Sequence, residues 1–169
     1  LLLAGDAGWT LPFFDVAGRL WVGKSQQIAD LLRQRLGLSC DFTVLRYLRM
    51  ELHEEERWDR VFLLLEIHEN LAEPPLNGRW MERAALAELP LADEEVRGLL
   101  LDYLDADATD HIPPLRAPWA QVGWFAATAA WMVETLAALG RPPTGRVQQF
   151  RNLGISSLLR VPTAAGLVY

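Results

Sequence analysis

The chain has 169 residues, 51% of them hydrophobic and 22% charged, which suits one ordinary domain and part of a second and excludes a disordered chain. A formal net charge of −6 excludes a general nucleic-acid binder, which needs a basic face. A single cysteine, Cys40, excludes a disulfide framework or a thiolate metal cage, and the expected compartment is the cytoplasm.

Charge is unevenly spread. From Arg141 onward there are four arginines and no acid, which leaves 12 basic and 22 acidic residues before it, net −10. Proline pairs at Pro113-Pro114 and Pro142-Pro143 punctuate the same region. The expected division is therefore a first domain over residues 1–110, a linker with a long helix over 111–143, and a separate β segment over 144–169. The chain opens on Leu1-Leu2-Leu3 without a methionine or a basic run and stops at Val168-Tyr169 in a strand-like run. It reads as a fragment without a signal peptide. The longest apolar stretch, residues 119–139, is interrupted by Gln121 and Glu134, so no membrane span is expected.

In chain order, residues 1–4 form an apolar strand closed by the turn Gly5-Asp6-Ala7-Gly8. Residues 9–16 are extended, with Pro12 barring a helix, and residues 19–22 make a second extended piece. Residues 25–36 predict a helix capped by Ser25, with the stripe Ile28, Leu31, Leu32 and Leu36 and with Gly37 at its C′ position. Residues 42–52 and 61–67 predict a hairpin, the second strand apolar enough to be buried on both faces. A short strand at 79–81 and helices at 83–89 and 93–104 follow, the latter capped by Asp93 with Val96, Leu99, Leu100 and Tyr103 on one face.

Pro118 then predicts the start of a long helix that Gly140 ends. Its seam of Val122, Phe125, Ala129, Met132, Leu136 and Leu139 is expected to be buried. Strands are expected at 147–150, 157–161 and 167–169, with a turn over 162–166. Three strands cannot bury a core alone, so residues 147–169 are expected to fray in this chain.

Chemistry-bearing residues are sparse. His53 beside Glu54-Glu55-Glu56 reads as a solvated charged turn. His68, His111 and Cys40 stand without partners at metal-ligand spacing and read as structural. No catalytic residue and no metal ligand is expected.

The segment Trp9-Thr10-Leu11-Pro12-Phe13-Phe14, followed by a loop and by Asp30-Leu31-Leu32-Arg33-Gln34-Arg35-Leu36-Gly37-Leu38, resembles the signature of the Nudix hydrolases. That signature is a Trp-x-Leu-Pro-Gly-Gly strand end and a helix carrying Arg-Glu-x-x-Glu-Glu, whose acids hold magnesium against a diphosphate. Aligned on Gly37-Leu38, Asp30 stands at the arginine, Leu31 at the first glutamate, Gln34 and Arg35 at the paired glutamates, and Phe13-Phe14 at the glycine pair. Arg79-Trp80-Met81 and Ala85-Leu86-Ala87-Glu88-Leu89 resemble the family's late strand and helix. The resemblance covers residues 1–106. It implies an α+β fold with a Nudix-like mixed sheet and flanking helices, followed here by a long helix and a short terminal β segment. It also implies a degenerate site without metal, whose old nucleotide cleft would lie between Trp9, Phe13, Phe14 and Trp80.

Residues 144–169 resemble the first strands of an aminoglycoside phosphotransferase-like kinase lobe. Ile155, Ser156 and Ser157 would stand at the loop covering the nucleotide phosphates. The lysine strand would begin at Val168-Tyr169. ATP and magnesium are implied for a longer parent chain and none for the fragment, which lacks the lysine and acids of phosphoryl transfer. The expected function is a non-catalytic accessory or regulatory domain beside its own C-terminal small-molecule kinase, with a small-molecule ligand and neither nucleic acid nor membrane as partner. The alternatives are a diverged Nudix-type hydrolase drawing metal acids from Glu51, Glu54, Glu55 and Glu56, and a nucleotide-binding module.

Overall fold

The computed structural model describes residues 1–17, 23–37, 41–53, 55, 58–69, 73, 74, 76–108 and 112–169. The strand expected at 19–22, together with Cys40, Glu54, Glu56 and His111, lies outside them. The fold is α+β. In chain order the elements are β1 (Leu2–Gly5), β2 (Gly8–Thr10), α1 (Ser25–Leu36), β3 (Phe42–His53), β4 (Trp58–Ile67), β5 (Gly78–Arg79), α2 (Arg83–Leu86), α3 (Glu94–Ala108), α4 (Trp124–Ala138), β6 (Gln148–Leu153), β7 (Ser156–Thr163) and β8 (Gly166–Val168). The strands form three antiparallel sheets, ordered β2-β1-β5, β3-β4 and β6-β7-β8. One parallel bridge joins Trp9 to Leu91.

The chain packs as two compact units: residues 1–20, 32–39 and 70–114, and residues 21–31, 40–69 and 115–169. The hairpin at 41–69 belongs with the C-terminal segment, and α1 passes from one unit into the other.

In the first unit, the apolar run Leu2-Leu3 becomes the central strand because its neighbours can pair on both sides, Leu3 with Thr10 and with Gly78. Gly8 has φ +126°, and a Cβ there would sit 2.6 Å from the Pro90 carbonyl oxygen, so the turn requires glycine. That closeness lets the Trp9 N–H donate to Pro90 O and the Ala92 N–H donate to Trp9 O, each at 2.9 Å. Leu2, Leu86 and Leu91 form the core, with Trp9, Leu11, Met81 and Leu100 against it. Asp93 caps α3 as expected, its Oδ1 accepting the Glu95 N–H at 2.9 Å. The helix expected over 83–89 is only one turn, α2. Its released carbonyls at Leu86, Ala87 and Leu89 accept from the Arg97 guanidinium.

Helix α1 runs as expected, and Gly37 at φ +64° ends it. Ser25 does not cap it: the residue is the first of the helix, and its Oγ is buried with no hydrogen-bond partner among the described residues.

In the second unit, β3 and β4 pair from Phe42–Ile67 to His53–Trp58. Two register shifts leave Leu45 and Leu48 as bulge residues, which coil the ribbon. Strand β4 is half-buried along 60–67 rather than enclosed, because a two-stranded ribbon leaves both faces partly open.

The expected helix from Pro118 is corrected. Pro118–Ala120 is a 3-10 turn, Gln121 is extended, and Gly123 at φ +83° breaks the path, so α4 begins at Trp124. The seam shrinks accordingly: Leu136 is buried, while Val122 and Leu139 are 66% and 68% exposed. The expectation of frayed terminal strands is also overturned. Strands β6, β7 and β8 form a meander that buries Leu159, Val161 and Asn152. The sheet needs no partner strand, because side chains of β6 dock it onto β3.

Candidate functional site

Four aromatic residues were expected to frame a cleft. Trp9 is half-buried against the core of the first unit, Phe14 is half-buried, Phe13 is 61% exposed and Trp80 is 37% exposed. The sheet order puts β1 between Trp9 on β2 and Trp80 just after β5. Trp9 pairs with Ala4, whereas Arg79, next to Trp80, pairs with Leu2. Two strand spacings and about three residues separate the two indoles' backbones, about 10 Å across and about 10 Å along. Ala4 and Leu2 share a face, so continuing the pleat one residue past Arg79 puts Trp80 on the side opposite Trp9, and the sheet does not gather the two indoles over one face.

The helix that would carry metal acids does not carry them. Leu31 is half-buried, and Gln34 and Arg35 are exposed. Asp30 accepts a hydrogen bond from Gln26 Nε2 at 3.0 Å. A magnesium ion needs several carboxylate oxygens on one face, and an exposed guanidinium repels it, so these residues do not fit the ion that the intact Nudix signature holds. Of the alternative acids, Glu51 and Glu55 are among the described residues. Glu51 lies 2.8 Å from Arg49 Nε and 3.6 Å from an Arg60 nitrogen, so its charge is already matched, and Glu55 is exposed. Among the described residues, no three histidine, cysteine or acidic side chains converge on one point.

At the phosphate-loop positions the structure builds a tight hairpin turn. Leu153 pairs with Ser156, leaving Gly154 and Ile155 at the tip. Ile155 is 89% exposed. Ser156 is exposed. The Ser157 hydroxyl is engaged, donating to Arg151 O and accepting from Gln149 Nε2, both at 3.4 Å. The tip offers backbone groups to a ligand, and Ser157 supports the turn from behind.

His68, expected to be structural, lies at the open end of the β3–β4 hairpin, where the fold gathers polar and charged groups around it. Its Nε2 shares a hydrogen bond with Thr43 Oγ1 at 3.1 Å, and its ring lies 4.4 Å from that of Phe125 on α4. Burial holds its pKa below the usual histidine range, against the opposing pull of Glu66 and Asp41. Glu66 Oε1 accepts the Gly123 N–H at 2.7 Å just ahead of α4. Arg146 donates to Asp41 Oδ2 at 2.8 Å and to Glu69 Oε1 at 3.1 Å. Thr43 is 2% exposed, so its hydroxyl is closed to a substrate and the cluster is a junction between segments. No local motif signals it, because its members come from 41–43, 66–69, 123–125 and 146.

Comparison with known proteins returns no match among family models, curated proteins or solved structures. No helix among the described residues is long and apolar enough to cross a membrane.

Proposed function

We propose that this chain is a degenerate Nudix-like accessory domain joined to the opening strands of an aminoglycoside phosphotransferase-like kinase. In this reading it acts in the cytoplasm beside the kinase domain, as a docking or ligand-sensing partner, and it performs no chemistry of its own. The observation that carries the reading is helix α1, where half-buried Leu31 and exposed Gln34 and Arg35 stand at the positions of the three metal-binding glutamates. The hairpin of β6 and β7, with its exposed turn at Gly154-Ile155, supports the second half of the proposal. ATP and magnesium would belong to the longer chain, and a small-molecule ligand to this one.

The test is nucleotide and phosphate release over a panel of nucleoside diphosphate derivatives with magnesium or manganese. No turnover is expected. Turnover abolished by Glu51→Gln or Glu55→Gln would replace this reading with that of a diverged hydrolase. For the kinase half, titration of this chain with magnesium–ATP should give no saturable binding, since the phosphate charge meets neither a lysine nor a metal-binding acid. Tight binding would overturn the assignment of residues 144–169.

A further inference from the structure

We infer that the β6–β7 turn is a preset arm, positioned by the first residues of β3 through side-chain contacts alone. Three segments converge on its base at Asn152 and Leu153. The Asn152 N–H donates to Gly23 O at 3.1 Å, and its carbonyl accepts from the Tyr47 hydroxyl at 3.3 Å. Its Nδ2 donates to Val44 O at 2.6 Å and to Leu45 O at 3.1 Å. The Leu153 carbonyl accepts from Trp119 Nε1 at 3.3 Å. One turn of the ladder earlier, the Gln149 amide imitates a pairing strand: Oε1 accepts the Val44 N–H at 2.9 Å, and Nε2 donates to Val44 O at 3.0 Å.

No backbone ladder joins β3 to β6 among the described residues. The distinction has a mechanical consequence. A backbone ladder opens cooperatively, whereas amide side chains can release while both sheets keep their own pairing. The anchor points lie at the Leu45 bulge, where the β3 backbone is already out of register and its groups are turned toward β6. A change in the hairpin therefore reaches the exposed tip at Gly154-Ile155 through Gln149, Asn152 and Tyr47. The bearing of this arm on a nucleotide rests on the kinase reading given above; the coupling itself does not.

The test is residue-resolved amide hydrogen exchange on the whole chain. Gln149→Glu keeps the shape but replaces one donor by a carboxylate facing Val44 O. Protection at residues 152–157 should fall about tenfold at neutral pH, with β1 and α3 unchanged. Protonating the introduced carboxyl at low pH returns an O–H donor and should bring the protection back to that of the wild type at the same pH, which a packing role would not do; the wild-type reference removes the loss due to His68. Tyr47→Phe, the milder variant, should lower protection at the same amides about threefold and decides the matter if the first variant does not fold. Unchanged protection at 152–157 in the folded variants, or an equal fall throughout the chain, would overturn the coupling. Failure of the kinase reading is read separately, in the magnesium–ATP titration, and leaves these protection factors untouched.

Discussion

Asn152→Ala measures how much the docking of the terminal sheet depends on one buried amide. Asn152 is 2% exposed, and its Nδ2 serves two carbonyls of β3. After truncation, Val44 O keeps its bond from Gln149 Nε2, but Leu45 O loses this donor at a bulge outside the ladder register. A buried carbonyl left short costs about 1–3 kcal/mol, and the small void adds about 1 kcal/mol. Against this, Asn152 Oδ1 is buried with no hydrogen-bond partner among the described residues, and removing it returns about 1 kcal/mol. The net loss should be about 1–3 kcal/mol, or about 2–12 °C in Tm for a chain of this length. Urea and thermal unfolding followed by circular dichroism would read it. Asn152→Asp should cost more, because a buried carboxylate would face two carbonyl oxygens. If Asn152→Leu matches the wild type, side-chain volume rather than the amide holds the sheet, and the reasoning fails.

Three further outcomes are expected. The neutral form of His68 is favoured in the fold, so its contribution is complete above the unfolded value of about 6.5 and is lost as pH falls toward its lower folded pKa. Stability should drop as pH is lowered below about 6.5, and His68→Gln should flatten that slope; an unchanged slope would remove His68 as its source. Leu136→Asp should lower stability by about 3–5 kcal/mol, since it puts a charge at an 8%-exposed position, whereas Leu139→Asp, at a 68%-exposed one, should stay within about 0.5 kcal/mol. Equal effects would mean that the α4 seam is misassigned. Gly8→Ala should cost about 2 kcal/mol or more, because its Cβ would sit against Pro90 O at a left-handed φ, and circular dichroism melting would detect the loss.

Local patterns in the sequence determined the helix of residues 25–36 with its glycine stop, the Asp93 cap, the β3–β4 hairpin, the three terminal strands and the missing acids on α1. Each depends on residues within about one or two turns of one another, so periodicity and capping chemistry suffice to find them. Only the tertiary structure decided where α4 begins, because a single left-handed glycine at 123 outweighs an apolar run that continues on both sides of it. It also decided the company of the hairpin. Gln149 and Asn152 are polar and have no local pattern to mark them, yet both face inward because bulges at Leu45 on β3 and at Phe150 on β6 shift the alternation. A one-residue slip reverses which side chains point inward, and the slip is fixed by pairing across more than a hundred residues of chain, which no local window contains.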